Sequence, residues 1–118
     1  MNRPFGFSKK DKLRRRKEFL DVGAEKQQFF GKYIIIHWKK TGVAYARLGI
    51  TVSKKYGNAV ERNQFKRMVR EAFRLSKKKI EMGVDINVHP RKHAKGLTLS
   101  ALFLDFDTFI SFLRQKSR

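Results

Sequence analysis

Apolar positions along this chain follow two periods, and the switches between them mark its elements. Tyr33-Ile34-Ile35-Ile36-His37-Trp38 is a β-branched and aromatic run of strand length. After a turn at Lys39-Lys40-Thr41-Gly42, the stretch Val43 to Ser53 alternates. Leu48, Ile50 and Val52 face one way; Arg47, Gly49, Thr51 and Ser53 face the other. Period two predicts a half-buried strand, and the two runs are expected to pair as a hairpin. Phe29 and Phe30 suggest a further short strand, and Val84 to His89 alternates again until Pro90 ends it. Helical spacing appears three times. Leu13, Phe19, Leu20 and Val22 predict a short helix over Leu13 to Val22, stopped by Gly23. Asn58 and Glu61 form a capping-box pattern that opens a helix running to Met82, where Gly83 supplies the stop. That helix would be about 37 Å long at about 1.5 Å per residue. Leu99, Leu102, Phe103, Phe106, Ile110 and Leu113 recur at three and four, predicting a last helix from Leu99 to Arg114. With no repeat or linker, residues 1–118 read as a single α+β domain, helices packed on a small sheet, preceded by an irregular basic arm over 1–12.

The helix after Asn58 separates into two faces. At about 100° per residue, Lys66, Lys77, Arg70, Asn63, Arg74, Arg67 and Lys78 follow Arg62 through roughly 160° of arc. Leu75, Met68, Ala72, Phe65, Val69 and Phe73 take the opposite half, and Glu71 stands at the border. Arg62, Lys66, Arg70 and Arg74 repeat like charge at i,i+4, where an ordinary solvated face mixes signs because like pairs are unfavourable. A bound anion is the expected compensation. Arginine's planar fork grips phosphate with two parallel hydrogen bonds and stacks on bases. Lys54, Lys55, Gly57 and Asn58 lead into the helix. A tight glycine turn there would direct backbone amides and the positive helix end toward a phosphate.

Composition agrees with a polyanion as partner. The 118 residues hold 29 Lys and Arg against 10 Asp and Glu, a formal charge of +19. The sequence pI near 10.8 is that of nucleic-acid binders. Yet 41% of residues are hydrophobic and 13% aromatic, too apolar for a disordered polycation. Cysteine is absent, which excludes disulfides and thiolate zinc sites and suits a reducing compartment. The sequence has neither a membrane-length apolar run nor the apolar stretch of a secretory signal, so a cytoplasmic protein with no membrane association is expected.

The segment Leu48 to Arg74 resembles the signature of the bacterial ribonuclease P protein subunit, with Arg62-Asn63, Lys66-Arg67 and Arg70-Glu71 at its centre. Leu13 to Val22 is similar to that family's first helix, with its Phe at Phe19. Asp85 to Arg91 and Leu97-Thr98 resemble its last strand and the start of its last helix. The resemblance implies an αβββαβα sandwich of the type of ribosomal protein S5 domain 2, with a left-handed βαβ crossover. It implies that a catalytic RNA, using Mg²⁺, removes the 5′ leader of precursor tRNA, while the protein binds that RNA and the leader. No protein partner is implied. On the same ground Lys54, Lys55, Arg62, Asn63, Lys66, Arg67, Arg70 and Arg74 are expected to contact RNA. Phe19, Tyr33 and Ile36 would line a leader cleft, and Arg14, Arg15, Arg16 and Arg91 would add secondary RNA contacts. The sequence departs from the family at Gly23, where many members carry a second cleft aromatic, and at Ile36, which stands in for another. Tyr33 or Trp38 are the candidate substitutes.

Nothing in the residues predicts chemistry in the protein itself. The ten acids are scattered, and Asp105 and Asp107, two apart on a helix, do not share a face. His89 and His93 are separated by Pro90, which denies them a common helix. No catalytic residue and no protein-held metal are therefore expected, and any Mg²⁺ would act through the partner RNA. Three rivals remain at this point: a structural RNA-binding protein, a DNA-binding protein and an autonomous nuclease.

Overall fold

The structure is a computed structural model that describes residues 12–24, 26–91 and 96–116. Its elements follow the order α1 (Arg16–Ala24), β1 (Gln28–Phe30), β2 (Ile34–Lys40), β3 (Ala46–Ile50), α2 (Ala59–Ser76), β4 (Val84–Pro90) and α3 (Leu99–Lys116). That is the expected αβββαβα order. The four strands form one mixed sheet in the spatial order β1-β2-β4-β3. The basic arm before Lys12 and the loop residues 92–95, His93 among them, lie outside the described residues.

The expected hairpin between β2 and β3 does not form. β4 lies between them, antiparallel to β2 and parallel to β3, and the hairpin partner of β2 is β1. Neighbours in sequence usually pair, but the centre of a covered sheet needs a strand that tolerates burial on both faces. Val84, Asp85, Ile86, Asn87 and Val88 are all buried, so β4 is that strand.

Gly83 does not stop α2 either. The helix ends at Ser76, and a 3-10 turn over Lys77–Lys79 follows before Ile80 turns extended. At 18 residues it is about 27 Å long. What Gly83 supplies is room. The chain enters β4 beneath the β2–β3 connection, where Thr41 donates its amide to the Gly83 carbonyl at 3.1 Å. A Cβ at Gly83 would stand 1.6 Å from the Val43 carbonyl oxygen. Gly83→Ala is therefore expected to destabilise the fold by about 1–3 kcal/mol as the backbone shifts to relieve the clash. A thermal melt unchanged from wild type would contradict that account.

One face of the sheet carries the apolar core. Ile34, Ile36 and Trp38 of β2, Ala46 and Leu48 of β3, and Val84, Ile86 and Val88 of β4 pack against α2 and α3. Phe65, Val69, Ala72 and Phe73 are the buried stripe of α2, matching the wheel, although Leu75 at its border is exposed. α3 buries Leu102, Phe106, Phe109, Ile110 and Leu113, with Phe29 tilted against Phe109 at 5.4 Å. The buried Asp105 of α3 has a defined task. Its two carboxylate oxygens accept the amides of Lys32 and Tyr33 at 2.9 and 2.8 Å, holding the β1–β2 turn.

The opposite face is covered by α1. This helix starts at Arg16, three residues after the sequence suggests, and passes through Gly23 to Ala24. Leu13 stays outside it, 5% exposed, and its amide donates to the Leu48 carbonyl at 2.9 Å, extending the sheet edge beside β3.

Candidate nucleic-acid interface

The capping box is present as expected. Asn58 accepts the Glu61 amide at 2.8 Å, and Glu61 accepts the Asn58 amide at 2.9 Å. This success overturns a second expectation. Two of the amides at the helix start, those of Asn58 and Glu61, are already occupied, Glu61 sets a negative charge there, and Gly57 is extended rather than in a tight turn. Lys54 and Lys55 lie in a 3-10 turn, exposed, so anion contacts there would fall to their side chains.

Beyond the cap, the polar half of α2 faces away from the sheet. Asn63, Arg67 and Arg70 are exposed, while Arg62 and Lys66 are half-buried. Arg62 Nε donates to its own helix at the Asn58 carbonyl, 3.4 Å away. Lys66, Arg67 and Arg70 form no ion pair with an acid among the described residues. Arg74 differs from the rest of the ladder. Glu71 takes both its Nε and Nη2, and Arg74 holds the Glu71 carboxyl below the usual carboxylate range. The open ladder is thus Arg62, Lys66 and Arg70, with Arg67 alongside.

This face is not isolated. Lys66 and Arg70 meet Lys12 around a notch of about 110 Å³ floored by Leu13, Leu48 and Ile50. Lys12 also borders a wider groove of about 610 Å³ beside the start of α1, lined by Arg14, Arg15, Lys17, Glu18, Asp21, Tyr45 and Arg47. One basic surface therefore runs from the middle of α2 to the first turn of α1, and it takes in Arg14 and Arg15. Arg16 is exposed at the helix start. Arg91 lies apart from them, its Nη1 donating to the Gly31 carbonyl at 2.7 Å, a bond that ties β4 to the β1–β2 turn.

Of the three residues expected in a leader cleft, two are on the α1 side of the sheet. Phe19 is half-buried on α1, with its ring against Gly49: a Cβ there would come within 2.5 Å of Phe19 Cε1. Tyr33 is half-buried, continues the parity of Ile35 and His37, and has Lys32 Nζ 5.4 Å from its ring centre. Ile36 is corrected. It is fully buried in the α2–α3 core, on the other face, and Trp38, 2% exposed, is there too. Alternation along β2 forbids either side chain from reaching α1.

Sequence reasoning missed what occupies the floor beneath α1. Arg47 grips Asp85 with two hydrogen bonds, Nε to Oδ1 at 2.8 Å and Nη2 to Oδ2 at 2.6 Å, and gives Nη1 to Glu18 Oε2 at 2.7 Å. Glu18 Oε1 accepts the amides of Arg14 and Arg15, capping α1. The Arg15 and Arg14 amides, and then Arg47, hold the Glu18 carboxyl down at about 2. Further along, Thr51 Oγ1 donates to Asn87 Oδ1 at 3.1 Å, and Asn87 Nδ2 is 3.2 Å from His89 Nε2. His37 and His89 meet edge to face at 4.7 Å. Burial, with His37 adding to it, pushes the His89 imidazole down to about 4, and burial also lowers His37. The signal available in the sequence was parity: Arg47 and Asp85 are opposite-charge residues on predicted strands, and Gly49 is a lone strand glycine, a mark of close approach.

Among the described residues no cluster of three or more His, Cys, Asp or Glu could hold a metal ion, and no helix is long and apolar enough to cross a membrane. Glu18 and Asp85 converge, but around the Arg47 guanidinium.

Residues 7–113 match the family model described as Ribonuclease P. The ribonuclease P protein component of Thermotoga petrophila is 45% identical over 86 residues, 73% of this chain and 74% of that protein. That of Desulfatibacillum aliphaticivorans is 41% identical, covering 75% of each. Among solved structures, the RNase P protein of Thermotoga maritima superposes with a TM-score of 0.76 at 35% identity, over 84% of this chain and 94% of that one. An RNase P protein mutant of Staphylococcus aureus with defective mRNA degradation activity gives 0.79 at 28%, over 90% of each. The αβββαβα sandwich and the marked helix of this chain are thus those of a known group, and the chain belongs to the ribonuclease P protein component family.

Proposed function

We propose that this chain binds the catalytic RNA of ribonuclease P and the 5′ leader of precursor tRNA, and so promotes removal of the leader in the cytoplasm. The observation that carries the reading is the cationic face of α2, open to solvent around Arg67 and Arg70 and continuous through Lys12 with the groove along α1. Like charges at helical spacing raise the energy of the free protein, and a phosphate backbone relieves that while its counterions are released. Lys54, Lys55, Arg62, Asn63, Lys66, Arg67 and Arg70 contact the catalytic RNA, and Phe19 and Tyr33 offer stacking faces to unpaired leader bases. Arg14, Arg15 and Arg16 add phosphate contacts. The hydrolytic step belongs to the RNA, which holds Mg²⁺; the protein raises affinity and has no nuclease site of its own.

Reconstitution tests this. Purified protein added to the naked catalytic RNA at low Mg²⁺ is expected to restore precursor-tRNA cleavage, with no cleavage by protein alone. Affinity for the RNA is expected to fall linearly on a log–log plot against salt, as phosphate contacts demand. Absence of stimulation, or cleavage by RNA-free protein, would sink the proposal. Competition by duplex DNA as effective as by the catalytic RNA would favour a DNA-binding role instead.

A further inference from the structure

The geometry points to Arg47 as a positioning residue: a latch that, through Glu18 and Asp85, sets where Phe19 stands over the sheet. The inference rests on the leader-binding reading above for its functional consequence, but not for its structural one. α1 is nine residues long and buries Val22 in full, a small apolar anchor for a helix that forms one wall of a cleft. Its other fastening is polar. The Arg47 guanidinium spends two donors on Asp85, in the central strand, and a third on Glu18, in the first turn of α1. A planar fork with fixed donor directions allows few arrangements of its partners, so the pairing fixes position more than it adds stability. Phe19 is the next residue after Glu18, and its ring touches Gly49, two positions from Arg47 on the same face of β3. The guanidinium that locates Glu18 therefore locates the Phe19 ring. Arg47 is 24% exposed and three of its five N–H donors are taken by carboxylates, so this cation, unlike Arg67 and Arg70, is largely neutralised within the fold.

Charge and position predict opposite results, which makes the idea testable. Glu18→Gln keeps the volume and, through its amide oxygen, the cap on Arg14 and Arg15, but presents an NH₂ where Arg47 Nη1 needs an acceptor. It also removes a negative charge beside a polyanion. If Glu18 acts through charge alone, precursor tRNA should bind more tightly. As a latch, its loss should weaken binding of precursor tRNA by the reconstituted holoenzyme by about tenfold, the loss expected when one base–aromatic stack is forfeited. Affinity for mature tRNA and for the catalytic RNA, neither of which presents a leader, should not fall. Arg47→Lys, which keeps the charge without the fork, is expected to behave the same way.

A second readout needs no leader. The Phe19 ring against Gly49 should displace the Gly49 Hα resonances, and both variants should move them toward their positions in Phe19→Leu. Gly49 resonances unmoved in both variants, or tighter precursor binding by Glu18→Gln, would overturn the latch. Precursor affinity that is unaffected by Phe19→Leu would instead overturn the leader reading, leaving the Gly49 shift to judge the latch by itself.

Discussion

Replacing Arg67 and Arg70 together by alanine is expected to cut affinity for the catalytic RNA by about a hundredfold and to leave the melting temperature unchanged or slightly raised. Both side chains are exposed on the face of α2 opposite Phe65, Val69 and Phe73, so truncation opens no cavity. A hydrogen bond to a charged group contributes about 1.5–3 kcal/mol, which makes each arginine worth tenfold or more when it grips phosphate. In the free protein the same change removes two charges from a formal +19 and relieves repulsion from Lys66 and Arg74, one helical turn away from Arg70 on either side. The salt dependence of binding should become shallower by about two units of log–log slope, one for each arginine removed from the phosphate backbone. Filter binding over a salt series and a thermal melt of the free variant measure both halves. A melting temperature depressed as far as by Phe73→Ala, about 3–5 kcal/mol of lost stability, would mean the arginines serve the fold. Arg74→Ala makes an internal control. Its guanidinium is engaged by Glu71, so its truncation should weaken RNA binding less than either of the others.

How much of the molecule is legible in its sequence varies with the kind of signal. Elements defined by periodicity come through: the stripe of α2, the alternation of β3 and most of the face of α3 are read from local spacing, although Leu99 is exposed and Phe109 joins that face. The cap at Asn58 is legible because both partners lie within one helical turn. Features that depend on a distant partner are not. Tyr33 to Trp38 is apolar at nearly every position, so its alternation does not reveal which side meets the core. Pairing with β4 decides that, and sends Ile36 and Trp38 away from the cleft in which the resemblance set Ile36. Gly83 reads as a helix stop because glycine often is one, whereas its reason is a crossing with Val43, forty residues earlier in the chain. The same holds for charge. Of 29 cations the sequence marks the ladder on α2, but it cannot separate Arg47, held in two ion pairs that join three elements, from Arg67 and Arg70.

Acidification should separate the floor of the cleft from the rest of the protein. Lowering the pH from about 7.5 to 4.5 is expected to destabilise the free chain by up to about 3 kcal/mol, most of it through His89. The sign follows from proton counting. His89 titrates near 4 in the folded protein, while an imidazole in the unfolded chain titrates near 6.5. Between those values the unfolded chain binds more protons, so stability is complete above about pH 6.5 and is lost as pH falls toward 4. His37, shifted in the same direction by burial, steepens the loss, and protonating either ring would place a cation 4.7 Å from the other. Glu18 acts in a lower window. Its folded value near 2 is well below that of a free carboxyl, so the stability it confers is lost only below about pH 4.5. Thermal melts from pH 7.5 down to about 2 should therefore show two descents, the first much reduced in His89→Phe and the second reduced in Glu18→Gln. A first descent of undiminished depth in His89→Phe would place the titrating group elsewhere. The two histidines should matter differently once RNA is bound. A phosphate close to His89 would favour its protonated form and draw its titration upward, so the holoenzyme should tolerate pH 5 better than the free protein does. Equal acid sensitivity of the free and RNA-bound chains would mean that no phosphate lies near His89, and the leader would then have to run along α1 without crossing the polar floor beneath it.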